Sequence, residues 1–344
     1  MPEVILKVNG TRYGGWLKIR ITRSIEQIAG TFELTVTERW AGQTSARRIL
    51  TGDKCQVLVD KEIVITGYVD DVDPTYDANQ HVVTITGRDK TGDLVDCSAA
   101  GVQLSKRTLL EVAIQECKPF GIKVRAETNV GGKFEKNKPD EGETVFESLE
   151  KIARIRAVLL ISDGLGDLVI ARAGKKRIST TLELGKNILK ASGATSHRDL
   201  YSKYSVKGQH AGDDFTSPED NAHALGEAID KRIKRYRPLT IIAEEQVDKA
   251  SAKRRAEWER NVRFGRSKPN TYTVQGWHHK TGLWMPNVLV PVRDPYKGIN
   301  GDLLIAGVSL VLDENGSTTE LSMKPREAFD LLPLPEPSDW ELDF

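Results

Sequence analysis

Three cysteines, three methionines and six histidines in 344 residues leave little material for redox or metal chemistry. Cys55, Cys97 and Cys117 are odd in number and show no C-x-x-C spacing. They read as reduced, buried thiols of a chain made in the cytoplasm, not as a disulfide framework. Neither sign of charge is in excess: 50 Lys and Arg face 49 Asp and Glu, a formal net charge of +1. No global field then draws the chain to nucleic acid or to an acidic membrane, and any such contact must be local. No run approaches the roughly 18 apolar residues that cross a bilayer. "MPEVILKVNG" lacks the basic and apolar regions of a secretion signal and reads as a first strand. No stable membrane insertion is expected.

Catalytic signatures are missing too. There is no G-x-x-x-x-G-K-[ST], no H-E-x-x-H and no G-x-S-x-G. His278-His279 is the single histidine pair, and neighbours on a strand face opposite sides, so they cannot easily share a metal ion. A glycosidase needs two carboxylates across a cleft. Glu143 and Glu147 are candidates, but their position at a helix start is better explained by capping. The expectation is a chain with no cofactor, no metal and no enzymatic reaction.

What is present is a folded protein of 39% hydrophobic and 29% charged residues, long enough for two or three domains. The first hundred residues hold short strands: "EVILKVNGTRY" with an Asn9-Gly10 turn, then "GTFELTVTER", "KCQVLVD", "EIVITGYVDDV" and "HVVTITGRD". From about 100 to 175 the pattern becomes helical. Leu109, Leu110, Ala113, Ile114 and Cys117 share a helical spacing that Pro119 ends, and Thr144 with Glu147 forms a capping-box pattern. "VLLISDGLGDLVIA" reads as a hairpin and "NVGGKFEKNKPDEGE" as an exposed loop. Strands return from about 176, interrupted by a charged, helical and irregular stretch at 217–267. The Pro-rich, acidic "LLPLPEPSDWELDF" cannot form a regular helix.

Two blocks recur in the same order. "WLKIRITRSIEQIAGTFELTV" at Trp16 aligns with "ILKASGATSHRDLYSKYSVKG" at Ile188, an offset of 172. "EIVITGYVDDV" aligns with "DLLIAGVSLVL", Gly67 falling on Gly307, an offset of 240. An Arg followed by Asp-Leu comes after each copy of the second block. The stretch 217–267 lies in the gap between the two offsets. The expected fold is α+β, mainly β: two similar antiparallel β-barrel domains, 1–98 and 176–330, flank a small α/β domain, 99–175. The second barrel carries a helical insertion at about 217–267, and 331–344 forms an extended C-terminal arm.

With "RYRPLTIIAEE", "RRAEWERNVRFGRS", "VQGWHHKTGLWMPNVLVPVRD" and "LLIAGVSLVLDENGSTTELSMKPREAFDLL" in place, the chain resembles baseplate hub proteins of Mu-like contractile-tailed bacteriophages. The T4-type hub and the hub part of type VI secretion spike proteins follow similar logic. The resemblance covers nearly the whole chain. It implies a structural protein of the virion tail baseplate, assembled in the host cytoplasm. Three copies would close a ring, pseudo-six-fold through two barrels per chain, between the tail tube protein and the central spike protein. Baseplate wedge proteins are further expected partners, and DNA would pass through the channel during ejection without specific binding. A peptidoglycan-degrading tail component, or a monomeric module binding glycan or nucleic acid, are the alternatives.

The helix pattern in "DKASAKRRAEWERNVRFGR" gives the sharpest candidate site. Arg255, Trp258, Glu259 and Arg263 suit a subunit or tube interface, where Arg and Trp often anchor contacts. The competing reading is a solvated basic helix docked on its own chain by Trp258. Trp340 in the C-terminal arm is the fifth candidate, as an anchor on a neighbouring subunit or the spike.

Overall fold

The computed structural model describes residues 3–37, 49–77, 81–208, 224–242 and 249–330. The chain divides into two compact units, one of Met1–Ala191 with Thr271–Met323 and one of Ser192–Asn270 with Lys324–Phe344.

In the first unit, β1 (Val4–Val8) and β2 (Thr11–Tyr13) form a hairpin around Asn9-Gly10. Both turn residues have positive φ, 47° and 86°, as a two-residue type I′ turn demands. Next come β3 (Lys18–Ser24), β4 (Thr31–Thr37), β5 (Lys54–Val59), β6 (Glu62–Tyr76) and β7 (His81–Asp89). They pair in the order β3-β4-β7-β6-β5-β1-β2. Alternation sets their faces: Ile19 and Ile21 of β3 are buried while Lys18 and Arg20 are exposed.

The α/β part holds α1 (Gly92–Asp96), β8 (Leu104–Arg107), α2 (Leu109–Cys117), β9 (Val124–Ala126), β10 (Phe134–Asn137), α3 (Val145–Ile155), β11 (Leu159–Ser162) and β12 (Leu168–Ala171). It has its own core, in which Leu109, Val112, Leu149 and Leu168 are fully buried. Complete capping boxes open α2 at Thr108 and Glu111 and α3 at Thr144 and Glu147. Two expectations need correction. Ile114 is 48% exposed, and Val112 takes its place on the buried face of α2. The expected loop 129–143 contains β10, which pairs with β8 and buries Phe134 beneath the guanidinium of Arg156, 4.0 Å from the ring centre.

After β13 (Leu182–Glu183) and β14 (Ile188–Ser192) the chain enters the second unit. That unit holds β15 (Lys203–Gly208), β16 (Ala224–Ile229), β17 (Pro238–Ile242) and α4 (Lys249–Arg266). Among the described residues of the expected helical insertion at 217–267, the helix is α4 from Lys249, and 224–229 and 238–242 are instead strands β16 and β17, which flank β15 in one sheet. The chain then contributes β18 (Asn270–Gln275), β19 (His278–His279), β20 (Gly282–Leu283), β21 (Leu289–Asp294), β22 (Ile299–Asp313) and β23 (Gly316–Lys324).

The two expected closed barrels are not formed. The N-terminal strands and β13, β14, β18, β21, β22 and β23 make one continuous thirteen-stranded sheet. The joint is β3, which gives one edge to β4 and the other to β22, from Ser24↔Gly307 to Ile19↔Leu312. With its second edge given to β22, β3 has none left for another N-terminal strand, which closure of that half into a barrel would require. One apolar core spans both halves, with Leu6, Leu34 and Ile65 beside Tyr272, Ile305 and Leu321.

The internal repeat is visible as two hairpins of one design. β6 and β22 have 15 residues each, and their partners β7 and β23 have nine each. Each long strand also changes neighbours along its length: β6 pairs β5 as well as β7, and β22 pairs β21 and then β3. The 172-residue echo does not persist in this way. β3 and β4 are a hairpin, whereas β14 and β15 belong to different sheets.

The aligned glycines differ. A methyl group on Gly67 would lie 1.9 Å from the Arg88 carbonyl oxygen and 2.5 Å from Asp89 Cα, while on Gly307 the nearest atom would be 3.5 Å away. Beside Gly67, the buried carboxylate of Asp89 accepts from Gly30 N–H (2.7 Å), Thr91 N–H (2.9 Å), the Thr91 hydroxyl (2.5 Å) and the Ser162 hydroxyl (2.7 Å). It so ties the β3–β4 turn, the start of α1 and β11 to the end of β7. Arg23, also buried, donates to the Ser162 carbonyl at 2.8 Å. Burial works against the charge of Arg23, and the nearby Asp89 carboxylate partly restores it.

Two outcomes are expected in denaturant unfolding. Gly67→Ala loses about 2 kcal/mol or more through backbone displacement, whereas Gly307→Ala stays within about 1 kcal/mol of the parent and can gain slightly through the unfolded state. Equal effects at both sites contradict the geometry. Asp89→Asn puts an amide donor where four donors converge and costs about 3 kcal/mol; a midpoint unchanged by the substitution excludes the carboxylate as a structural tie.

Candidate subunit or tube interface

In the second unit, β15 lies between antiparallel β16 and parallel β17. The helix α4 packs against β15 and β16 at close range, because its contact residues are small. Ala252 and Ala256 are fully buried, and a methyl group on Gly226 of β16 would sit 2.1 Å from the Ala252 carbonyl carbon. Tyr204 fills the remaining space; its hydroxyl accepts from Tyr201 N–H at 3.1 Å, and burial pushes its phenol pKa up. Such a short apolar contact fixes the helix through backbone proximity more than through buried area.

Four of the five expected site residues lie on α4. Arg255, Glu259 and Arg263 are four apart and meet on one face. Glu259 is buried, at 7% exposure, and its two oxygens are divided between Arg255 (Nη2, 3.0 Å) and Arg263 (Nε, 2.9 Å). Arg255 also lies over the Trp258 ring, 4.8 Å from its centre, and Arg263 reaches the Tyr201 ring at 5.8 Å. Trp258 donates its indole N–H to the Asp330 carbonyl at 2.5 Å. Trp258, Glu259 and Arg263, with Ser196, Asp199 and Arg266, line a cavity of about 330 Å³. Trp340 lies outside the described residues.

This arrangement makes the cluster partly internal. Glu259 neutralises two guanidiniums and Trp258 holds the segment that follows β23, so these side chains brace their own unit. Arginine plays the same part in the basic "KRIKRYRP" stretch. Arg232 grips Asp230 at two points (2.6 and 2.7 Å) with its guanidinium 3.4 Å from the Phe264 ring centre. Burial alone raises Asp230, but this grip and the Arg232 N–H bring its carboxyl below the ordinary range. Arg237 donates to the Leu200 and Arg198 carbonyls at 2.9 and 2.7 Å.

The rest of that stretch was not singled out as a site. Lys231, Lys234 and Arg235 are exposed beside Tyr236, at 86% exposure, on the turn joining β16 to β17. Tyr76, stacked on His81 at the β6–β7 tip, and Tyr296 at 91% exposure are comparable projecting aromatics. Tyrosine is enriched among the anchor residues of protein interfaces, but only the fold reveals that these three project at strand ends and turns.

The residues weighed for chemistry are occupied with structure. Glu147 completes its capping box, and Glu143 pairs with Lys151 at 2.7 Å and accepts from Asp140 N–H. His278 approaches Asp60 at 3.6 Å, while His279 packs edge-on to Trp284 and has its pKa lowered by burial. Among the described residues no group of three or more His, Cys, Asp or Glu is placed to hold a metal ion. No described helix is long and apolar enough to cross a membrane.

Three family descriptions match successive parts of the chain. Residues 3–89 match the N-terminal domain of Mu phage baseplate assembly protein GpP-like sequences, and 91–172 the second domain of baseplate hub protein gp44-like sequences. Residues 248–332 match the fourth domain of Mu phage baseplate assembly protein GpP. The baseplate hub protein gp44 of Escherichia phage Mu is 36% identical over 338 residues, 95% of this chain and 88% of that protein. The 43 kDa tail protein of prophage MuSo2 from Shewanella oneidensis has a crystal structure with a TM-score of 0.86 and 39% identity, over 96% of this chain and 100% of that one. A tail protein from Neisseria meningitidis MC58 shares the fold, with a TM-score of 0.79 and 23% identity over 96% and 99% of the two chains. The first boundary between family domains falls at Asp89–Thr91, where the carboxylate tie joins the sheet to the α/β part. The chain belongs to the baseplate hub proteins of Mu-like phage tails.

Proposed function

We propose that three copies close a ring at the centre of the baseplate, between tail tube and central spike, leaving a channel through which DNA passes at ejection. The observation that carries this reading is the doubled hairpin. A chain that presents β6–β7 and again β22–β23, of equal strand lengths, within one sheet can offer two similar surfaces. Three such chains would present six, which suits a partner with six-fold symmetry on one side and three-fold symmetry on the other. The work is mechanical. The near balance of charge and the internal use of arginine fit a conduit that does not hold its cargo. Baseplate wedge proteins are further partners under this reading, and assembly takes place in the host cytoplasm before the particle is complete.

Within the ring, α4 is proposed as a contact surface to a neighbouring copy or the tube. Arg255, Trp258 and Arg263 are half-exposed while Glu259 holds the two guanidiniums in fixed orientations. Pre-ordered Arg and Trp lose little entropy on association. Trp340 remains a proposed anchor on a neighbour.

Native mass in moderate salt is expected to equal three copies of the 38.2 kDa chain. A monomer at every concentration, with no assembly when the spike protein is added, overturns the ring. Arg263→Ala is expected to weaken self-association or tube binding about tenfold, or about 1.4 kcal/mol, and, because one oxygen of the buried Glu259 loses its partner, to lower the unfolding free energy by about 1–3 kcal/mol. A variant that loses stability but assembles like the parent assigns Arg263 to internal bracing alone.

A further inference from the structure

The largest described cleft lies within the first unit and has no part in the reading above. It encloses about 600 Å³ between the end of β3, the β11–β12 hairpin, the end of β9, the 172–176 linker and the loop 285–288. Arg23 stands in its wall at 9% exposure. One guanidinium nitrogen, Nη2, donates to the Ser162 carbonyl at 2.8 Å, while Nη1 meets only the Met285 sulfur, at 3.7 Å. A thioether is a weak acceptor. A nine-tenths buried cation therefore lines the cleft with a donor that no described residue takes up strongly, and an anionic ligand would supply the missing acceptor.

The 172–176 linker brings three more cations to the same cleft from a fixed backbone. Gly174 N–H donates to the Asn287 side-chain oxygen at 2.7 Å, and the Asn287 amide donates back to the Arg172 carbonyl at 3.1 Å. The two backbones approach so closely that a methyl group on Gly174 would lie 1.9 Å from the Asn287 carbonyl oxygen. Leu289 N–H adds a bond to the Lys176 carbonyl at 2.8 Å. From this clamped segment Arg172, Lys175 and Lys176 extend exposed side chains that have no ion pair among the described residues. The two acids of the cleft, Glu127 and Asp163, are already held by Arg125. Between the charges the lining is apolar, with Ile161, Val169, Ala171 and Val288.

These features select a ligand by its chemistry. Cations without ion-pair partners call for anionic groups, and the wall between them calls for apolar groups at close spacing. A nucleic-acid backbone, charged at every phosphate, would set phosphates against Glu127 and Asp163 and leave the apolar wall uncovered. A protein segment in which Asp or Glu alternates with Leu, Ile or Val matches both needs. We propose that this cleft docks an acidic, apolar-interleaved segment of a partner protein, one carboxylate taking Arg23 Nη1 in place of the Met285 sulfur and flanking carboxylates pairing with Arg172, Lys175 and Lys176. The inference does not depend on the ring. The exposed cations speed encounter and respond to salt, whereas the buried Arg23 supplies specificity.

Fluorescence anisotropy with the full chain tests it. The probe is a fluorescein-labelled peptide, Leu-Asp-Leu-Glu-Leu, whose central leucine is a photoreactive diazirine analogue. Its amide counterpart, Leu-Asn-Leu-Gln-Leu, and a short oligothymidylate serve as comparisons. At about 0.01 M salt, where charges act over about 30 Å, the acidic peptide is expected to bind at least about tenfold more tightly than either, and most of that gain should vanish at about 1 M salt. Illumination should label Met285, Val288 or β12. The triple variant Arg172→Glu, Lys175→Glu, Lys176→Glu, altered only at exposed positions, should weaken binding at least about tenfold. Met285→Glu, which offers Arg23 a carboxylate from within the chain, should exclude the peptide to a similar degree. Equal affinity for the amide peptide, tighter binding of oligothymidylate, binding unchanged in either variant, or labelling at the other exposed basic stretch, Lys231–Tyr236, each overturns the proposal.

Discussion

The pairing of β3 with β22 is the constraint on which the rest of the molecule depends. It joins residues near position 20 to residues near position 310, and through it two strand sets become one sheet over one core. Contacts so distant in sequence form only after a large loss of chain entropy. They are secured here by area: Ile19 and Ile21 face Leu312 and Leu310 across the joint, all four beside the shared core. Thr22 and Ser309 add a hydroxyl contact at 2.9 Å on the other face. Because β3 also carries β4, no edge is left for separate closure of the N-terminal strands, and a single stiff sheet results.

The α/β part is fastened to that sheet by charge buried at one point. Asp89 is the last residue of β7, and its four donors come from three different segments. A second tie reinforces it: Lys90 pairs with Asp167 at 2.8 Å with both side chains largely buried. Gly164 and Gly166 allow the β11–β12 turn to approach β6, since a methyl group on either would lie 2.4 Å from a β6 carbonyl oxygen. Burying carboxylates is costly unless every lone pair is used. Here the cost is met by directional bonds, and the contact is specific where apolar packing alone would allow sliding.

Legibility in the sequence followed the range over which each signal acts. The Asn9-Gly10 turn and the capping boxes at Thr108 and Thr144 depend on residues within three or four positions, and they were readable. The echo centred on Gly67 and Gly307 was readable because strand alternation repeats with burial, and it marks two hairpins of equal strand lengths. The echoed Arg and Asp-Leu do not make the same pair: Arg88, still within β7, pairs with Asp70 and Asp96 and not with Asp93, whereas Arg326 pairs with Asp330. Barrel closure was not readable, because alternation fixes which face is buried but not which edge meets which. The strands β16 and β17 were obscured by a basic turn and by Gly226, whose missing side chain weakens the strand pattern while permitting the approach of α4. On α4 the residue choice was legible but not its division of labour. Arg255, Glu259 and Arg263 satisfy one another, and only geometry reveals that Glu259 is buried.

The two hairpins are alike in length but not in load, and this bears on the symmetry of any ring they build. The β6–β7 hairpin is compressed at Gly67, where β7 passes too close for a side chain, and from there it carries the α/β part through Asp89. The β22–β23 hairpin has open space at Gly307, and its long strand spends that stretch pairing with β3. The two hairpins share strand lengths and differ where their internal neighbours differ. In a ring of three chains, the three-fold relation would be strict, because it relates identical copies. The six-fold relation would hold only as far as the shared hairpin shape extends. Under the proposed arrangement, a hub between a six-fold tube and a three-fold spike would need that inequality: sameness on one side, and on the other a difference between adjacent positions that a trimeric partner could recognise.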